Sequence, residues 1–226
     1  MTTSMNKQQK VHDAIANLRG YASTKIIGYS DGIQVFSLEH QQDIQNIPVG
    51  ANLVGKFIIP VTTPIGDFVT WIVYDPLAQL NQGPKYSYFS ETTKSRLVFA
   101  PKVSWKNILL SDYLYLTDGV WDSIHANYKE FPTVSLLGGS LSKEQLKILR
   151  RFRYIILFQD NDKAGANLYQ NLCKYLGKQV STITLPQNYK DIDQYLAYAD
   201  EKLITQLKKI SHTKHLGQCM SKRSHL

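Results

Sequence analysis

The chain has 226 residues, 43% hydrophobic and 19% charged, with 13 Gly and 8 Pro; this excludes wholesale disorder and collagen-like or low-complexity chains and leaves room for one large domain or two small ones. Lys and Arg outnumber Asp and Glu by 26 to 18, a formal charge of +8, which favours an anionic partner: nucleic acid, an anionic membrane surface or a nucleotide. Cys173 and Cys219 are the only cysteines, which excludes a disulfide framework and a zinc ribbon built on paired C-x2-C elements, and no apolar stretch approaches the ~20 residues that span a bilayer.

Residues 1–25 read as a polar leader without the apolar core of a secretory signal, with an opening helix over Val11–Leu18; the chain is expected to be soluble and intracellular. Residues 26–110 have the texture of irregular β structure, with Pro48, Pro60, Pro64, Pro76, Pro84 and Pro101 punctuating short segments rich in Val, Ile, Thr, Tyr and Phe. Lys56–Thr62 and Phe68–Tyr74 predict a hairpin around Pro64-Ile65-Gly66-Asp67, and Leu97–Pro101 a further strand.

Residues 111–200 alternate short apolar runs with amphipathic segments, the pattern of strands and helices that build a parallel sheet. Strands are predicted at Tyr113–Thr117, Thr133–Leu137, Tyr154–Phe158 and Val180–Leu185. Tyr154–Phe158 is apolar on both faces and reads as the central strand. Helices are predicted at Val120–Tyr128, at Ser142–Phe152 with Ser142 and Gln145 at capping-box spacing, and at Ile192–Tyr198. A fourth helix carries Ala164, Leu168, Leu172 and Leu176 on one face and stops at Gly177. Residues 201–226 set Lys202, Lys208, Lys209, Lys214, Lys222 and Arg223 against Glu201 alone, which reads either as a solvated helix with a frayed end or as a phosphate-contacting extension. His212, His215, Cys219 and His225 follow no zinc-ligand spacing and read as part of that tail.

On this strand map Asp118 follows the first strand, Asp160 and Asp162 the third, and Asp191 and Asp193 the fourth. Singly, Asp118, Asp162 and Asp191 each suit a helix N-cap. Together, five acids on the carboxyl rim of an α/β sheet, where ligands bind, repel one another unless a cation joins them. All-oxygen donors favour Mg2+ or Mn2+ over zinc.

Four segments in order, Thr117-Asp118-Gly119-Val120-Trp121-Asp122, Leu137-Gly138-Gly139-Ser140-Leu141-Ser142, Asp160-Asn161-Asp162-Lys163-Ala164-Gly165 and Lys190-Asp191-Ile192-Asp193-Gln194-Tyr195-Leu196, resemble the successive motifs of the TOPRIM domain in bacterial DnaG-type and phage primases. Upstream, Gly55–Val61, the turn at Gly66, Gly83-Pro84-Lys85-Tyr86 and Ser90-Glu91-Thr92 look like the basic N-terminal subdomain of the same primase core. The resemblance implies an α/β fold, a mostly parallel TOPRIM-like sheet flanked by helices over 111–200, preceded by a smaller basic α+β subdomain over 26–110. It further implies synthesis of short RNA primers on single-stranded DNA from nucleoside triphosphates, with Mg2+ or Mn2+ as cofactor and no membrane.

In that reading Asp118, Asp160 and Asp162 are catalytic, and the same three with Asp191 and Asp193 hold metal. Lys56, Lys85 and Tyr86 face template or nucleotide, and Gly138 and Gly139 allow close backbone approach to phosphate. The sequence departs from the family where Asp118 replaces a Glu, one methylene shorter; Asp122, one helical turn on, is placed to share its load. Within these residues there is neither a zinc-binding module nor a large helicase-binding domain, so the chain reads as a bare catalytic core. A replicative helicase and a separate zinc-binding protein are then the expected partners, and the cytoplasm, the host's if the chain is phage-encoded, the expected location. A TOPRIM nuclease and a non-catalytic nucleic-acid-binding accessory are the alternatives.

Overall fold

The computed structural model describes residues 28–30, 35–37, 56–75, 78, 82–88, 97–137 and 140–210, and the chain divides into two compact units, Met1–Glu91 and Thr92–Leu226. The expected helix over Val11–Leu18, Gly138 and Gly139, the segment Ser90–Thr92, and the tail beyond Ile210 with His212, His215, Cys219 and His225 lie outside the described residues.

In the first unit, strands β1 (Gly28–Ser30), β2 (Val35–Ser37), β3 (Lys56–Thr62), β4 (Phe68–Tyr74) and β5 (Tyr86–Tyr88) form an antiparallel sheet in the order β2-β1-β3-β4-β5. Its centre is the hairpin expected from sequence, with Phe57, Ile59 and Val61 buried on β3 and Trp71 to Tyr74 buried on β4. Between the strands the Asp67 carbonyl accepts from Thr63 N–H at 2.8 Å and the Thr63 carbonyl from Gly66 N–H at 2.9 Å, while Gly66 takes φ 94°, a conformation open to glycine at no steric cost.

The second unit is built on a parallel sheet. Strands β6 (Tyr113–Thr117), β7 (Thr133–Ser135), β8 (Tyr154–Gln159) and β9 (Val180–Thr184) lie in the order β7-β6-β8-β9. Helices α1 (Trp105–Leu110), α2 (Val120–Tyr128), α3 (Lys143–Leu149), α4 (Lys163–Leu176) and α5 (Ile192–Tyr198) cover it, with a further helical stretch over 201–210. Side-chain alternation along the inner strands sorts the core into two layers. Leu114, Leu116, Ile155 and Leu157 face one way, onto Trp105 and Ile108 of α1, Leu149 of α3, and Leu168 and Leu172 of α4. Tyr115, Ile156 and Phe158 face the other way, onto Ala126 of α2, Ile192, Tyr195 and Leu196 of α5, and Leu207. The chain runs from β6 outward to β7 and then crosses back to β8 on the opposite side, so β6 and β8 flank the point where the winding reverses. In open α/β sheets that reversal opens a crevice beyond the carboxyl ends of the strands.

Local chemistry accounts for the helix limits. Ser142 caps α3 in a full capping box: its hydroxyl accepts from Gln145 N–H and the Gln145 side chain accepts from Ser142 N–H, both at 3.0 Å. Gly177, at φ 58°, ends α4. Three details differ from the sequence-based reading. Leu97–Pro101 is not a strand: Phe99 makes one antiparallel bridge to Ser135, and Pro101 then leads into a helical turn over Lys102–Ser104 and α1. The second parallel strand stops at Ser135: Leu136 N–H still reaches the Thr117 carbonyl at 3.0 Å, and the chain turns away at Leu137, with φ 61°. The helix expected over Ser142–Phe152 stops at Leu149, where Arg151 and Phe152 N–H groups bond to the carbonyls of Ile148 and Leu149 in tighter turns.

Candidate active site

The chain leaves β6 at Thr117 and enters α2 through Asp118 and Gly119. The Thr117 hydroxyl donates to the Gly119 carbonyl at 3.1 Å and the Ser135 hydroxyl to the Asp118 carbonyl at 2.9 Å, which fixes this short loop above the neighbouring strand. Asp122 sits in the first turn of α2, 8% exposed, and lies beneath Gly119. A methyl group on Gly119 would stand 2.0 Å from Asp122 Oδ2, so any side chain there would push the Asp122 carboxylate from its place.

The loop after β8 carries Asp160, Asn161 and Asp162. Asp162 Oδ1 accepts from Gly165 N–H at 2.8 Å and caps α4. Gly165 is required too: a Cβ there would meet the Asp160 carbonyl oxygen at 2.5 Å and its nitrogen at 2.9 Å, so the first turn of α4 packs directly on the Asp160 backbone. Asn161 ties this loop to the one after β9. Its side-chain amide donates to the carbonyls of Leu185, Pro186 and Tyr189 at 3.2, 3.0 and 2.8 Å, and its backbone N–H to that of Lys190 at 3.0 Å. That stitch brings Asp191 toward the Asp160 loop, and Asp191 Oδ1 in turn caps α5 by accepting from Gln194 N–H at 2.8 Å.

Asp193 faces inward. Its Oδ1 lies 3.1 Å from Nδ1 of the fully buried His125, and its backbone N–H donates to Asp122 Oδ1 at 3.1 Å. Sequence spacing brought Asp122 to notice only as a helper of Asp118, and nothing in it singled out His125, which lies 68 residues from Asp193.

The electrostatics follow from burial and like charge. Burial pushes the Asp118 carboxyl above its usual range, and Asp162 and Asp191 push it further, against lowering hydrogen bonds from its own backbone and that of Gly119. Asp160 is pushed up to about 7, by burial first and then by Asp118, Asp191 and Asp162, with Lys190 opposing. Asp122 is held well above the carboxylate range by burial, with Asp191, Asp160, Asp193 and Asp118 adding repulsion. Acids that follow three strands thus lie close enough for Asp118, Asp122 and Asp160 to be raised by their neighbours.

Among the described residues no three His, Cys, Asp or Glu side chains already converge on one point as a closed metal cage. The donors these acids offer are all carboxylate oxygens, the chemistry that a hard divalent cation such as Mg2+ or Mn2+ accepts. Asp162 and Asp191 each commit Oδ1 to a helix cap, which leaves Oδ2 as the oxygen they can offer. Of the other residues the sequence singled out, Lys56, Lys85 and Tyr86 belong to the first unit. Lys56 Nζ lies 3.7 Å from Asp75 Oδ2, and Lys85 Nζ lies 6.0 Å from the centre of the Tyr74 ring and 5.6 Å from that of Tyr86.

A family model described as Toprim-like matches residues 115–196, from within β6 to α5. A comparison with curated proteins finds no match. Among solved structures, the RNA polymerase domain of Mycobacterium tuberculosis primase DnaG is similar at 17% identity and a TM-score of 0.65, over 86% of this chain and 73% of that one. The zinc-binding and RNA polymerase domains of Aquifex aeolicus primase are similar at 17% identity and a TM-score of 0.68, over 88% of this chain and 55% of that one. A DnaG primase catalytic domain bound to single-stranded DNA is similar at 18% identity and a TM-score of 0.56, over 69% and 51%. The chain thus spans about half the length of the last two. No helix among the described residues is long and apolar enough to cross a membrane. The rim of acids at the reversal of a parallel sheet thus lies within a Toprim-like segment, residues 115–196, and the chain carries the fold of a DnaG-type primase catalytic core.

Proposed function

We propose that the chain is a nucleotidyltransferase that makes short RNA primers on single-stranded DNA. The observation that supports this reading best is the gathering of Asp118, Asp160, Asp162 and Asp191 on one rim, where burial and like charge raise the proton affinity of Asp118 and Asp160 and a bound cation would relieve the repulsion. Asp160 and Asp162 are the first choice to hold Mg2+ or Mn2+, with Asp118 and Asp191 completing the oxygen set; Asp193, bonded to His125, braces Asp122 behind them. When bound, the ion supplies charge neutralisation for an in-line displacement at phosphorus. In that reaction the 3′-hydroxyl of the growing strand forms a bond to the α-phosphate of the incoming nucleotide and pyrophosphate leaves.

The chain's own part is positional. The Asn161 stitch and the caps of α4 and α5 hold the carboxylates at fixed spacing, so little reorganisation is needed when a triphosphate enters. In the first unit, Lys85, beside the partly exposed Tyr86 ring, offers a cation and an aromatic face for template or nucleotide, and Lys56, beside Asp75, a further cation. Single-stranded DNA and nucleoside triphosphates are the ligands this reading requires, with a helicase and a zinc-binding protein as partners.

Incubation of the chain with single-stranded template, labelled nucleoside triphosphates and Mg2+ or Mn2+ tests it. Labelled oligoribonucleotides are expected, and Asp160→Ala with Asp162→Ala should abolish them. Shortened template instead of new product would assign the rim to a nuclease, and full synthesis by the double variant would refute the metal assignment.

A further inference from the structure

The opposite end of the parallel sheet carries a second charged surface. Lys147 in the last turn of α3, Arg150, Arg151 and Arg153 in the turn leading to β8, Lys174 in the last turn of α4 and Lys178 just beyond it are all exposed. Among the described residues none of the six forms an ion pair with an acid; Glu144 stands three residues before Lys147, and the β6–β8 register, with Tyr113 beside Tyr154, sets Asp112 next to Arg153, so two acids face six cations here. The segments are joined. The side-chain amide of Gln179 donates to the carbonyls of Leu149, at 3.3 Å, and Phe152, so the arginine turn is fastened to the lysine turn. The β8–β9 register, with Ile155 beside Val180, carries Arg153 toward Lys178 when followed two residues back. Arg153 is also held in place, with its guanidinium carbon 5.2 Å from the centre of the Tyr154 ring, a buried platform.

Two of these cations suit the C-terminal ends of their helices, where positive charge is favourable. Arg150, the C-cap of α3, and Lys178, in the short helical turn Gly177–Gln179, are placed in the same way, whereas Arg151 and Arg153 lie beyond the helices and have no such account. Three of the six are arginines on a fastened turn, the group that meets phosphate with two parallel hydrogen bonds and gives up little freedom in doing so. Strand β8 is six residues long, so about 20 Å separates this turn from the acid rim, which by itself repels a polyanion.

We propose that the turn over Arg150–Arg153, with Lys147, Lys174 and Lys178, is a docking surface for the phosphate backbone of the DNA whose other part is at the acid rim. This rests on the nucleic-acid reading above. The surface grips DNA that the rim, when free of cations, cannot attract, and it adds affinity only when the strand is long enough to reach both.

Fluorescence anisotropy of the full chain with a labelled oligothymidylate of about 30 nucleotides, at roughly 50 to 200 mM salt, tests this. Arg150→Ala with Arg151→Ala and Arg153→Ala should weaken binding about tenfold at low salt and flatten the salt slope by about 2, three phosphates at ~0.7 each. The triple lysine variant keeps the charge and should keep the slope, so a general folding defect would show in both. Unchanged affinity and slope in the alanine variant overturn the proposal. So does an alanine variant that holds DNA as the parent does but loses polyglutamate or phosphatidylserine vesicles, which would assign the turn to an acidic protein or a membrane. Asp160→Ala with Asp162→Ala removes two charges that repel the strand and should leave the loss on arginine-to-alanine substitution in place; primer synthesis persisting in that variant would sink the catalytic reading and leave the docking surface standing.

Discussion

At the carboxyl end of the parallel sheet, Asp118, Asp122 and Asp160 are held in buried or half-buried positions where burial first, and then neighbouring acids, make each harder to ionise. At the amino end, Arg150, Arg151 and Arg153 stand in solvent on a turn, and water carries their charge. The acids, when ionised, oppose folding, whereas the exposed arginines stay hydrated. A charge that the fold tolerates against its own stability marks a place where binding supplies the difference. A charge in solvent marks one only where its neighbours share its sign and its segment is fixed. The comparison can be broken by showing that the acid end is indifferent to geometry, pH and metal, or that the exposed charges matter to the fold.

The largest effect on the fold is expected at Gly165. The Asp160 backbone occupies the space a Cβ would take, so Gly165→Ala should cost about 2 kcal/mol by overpacking. It should also shift Asp160, and thermal melting together with the nucleotide-transfer rate would show both losses. A melting temperature equal to the parent's would mean that the loop yields easily and that the site is less fixed than its contacts indicate. The triple arginine-to-alanine variant, by contrast, should melt as the parent does.

A smaller effect is expected from pH. The folded-state affinity of Asp160 for protons, at about 7, exceeds the unfolded value of 3.8, so between those values the native chain holds a proton that the unfolded chain has lost. Stability of the metal-free chain should therefore fall as pH rises from about 4 to about 7 and then level off. Asp118 and Asp122 are raised in the same direction and steepen the fall. Mg2+ should consequently raise the melting temperature at pH 8 and hardly at all at pH 5. Asp122→Asn, which removes a buried charge and keeps an acceptor for Asp193 N–H, should raise the metal-free melting temperature at pH 8. Equal metal effects at both pH values would break the link between the acids and the cation.

The smallest effect is expected at Lys208, whose Nζ lies 2.9 Å from Glu130 Oε2 on the surface. Solvent screens such pairs, so Lys208→Ala should leave the melting temperature within the error of measurement. A clear loss would show that exposed charges do hold this unit together.

Much of the second unit was legible because its signals are local. The apolar run Tyr154–Phe158 has polar residues on neither face and could only be an inner strand. The four-residue recurrence from Ala164 to Leu176, closed by Gly177, drew α4 almost to the residue. The hairpin at Gly66 was equally plain. The three-residue strands β1, β2 and β5 were not legible, since three residues show no period and are held by the neighbours they pair with. Trp105–Leu110 was missed for a related reason: only Trp105 and Ile108 of its six residues are buried, while Leu109 and Leu110 stay exposed, so no apolar face announces a helix. At the site, Asp118, Asp160, Asp162, Asp191 and Asp193 were readable as residues that follow strands. The bond between His125 and Asp193 was not, because no short-range pattern links α2 to α5.

The amino-acid sequence by itself determined where strands and helices alternate and that acids stand immediately after the strands, because hydrophobic period, caps and turn residues act within a few positions of one another. Only the tertiary structure decided that β6 lies beside β8, that Asn161 stitches two loops together and that Asp122 is enclosed beneath Gly119. Strand order and burial depend on which distant surfaces pack, and the proton affinities of the acids depend on both.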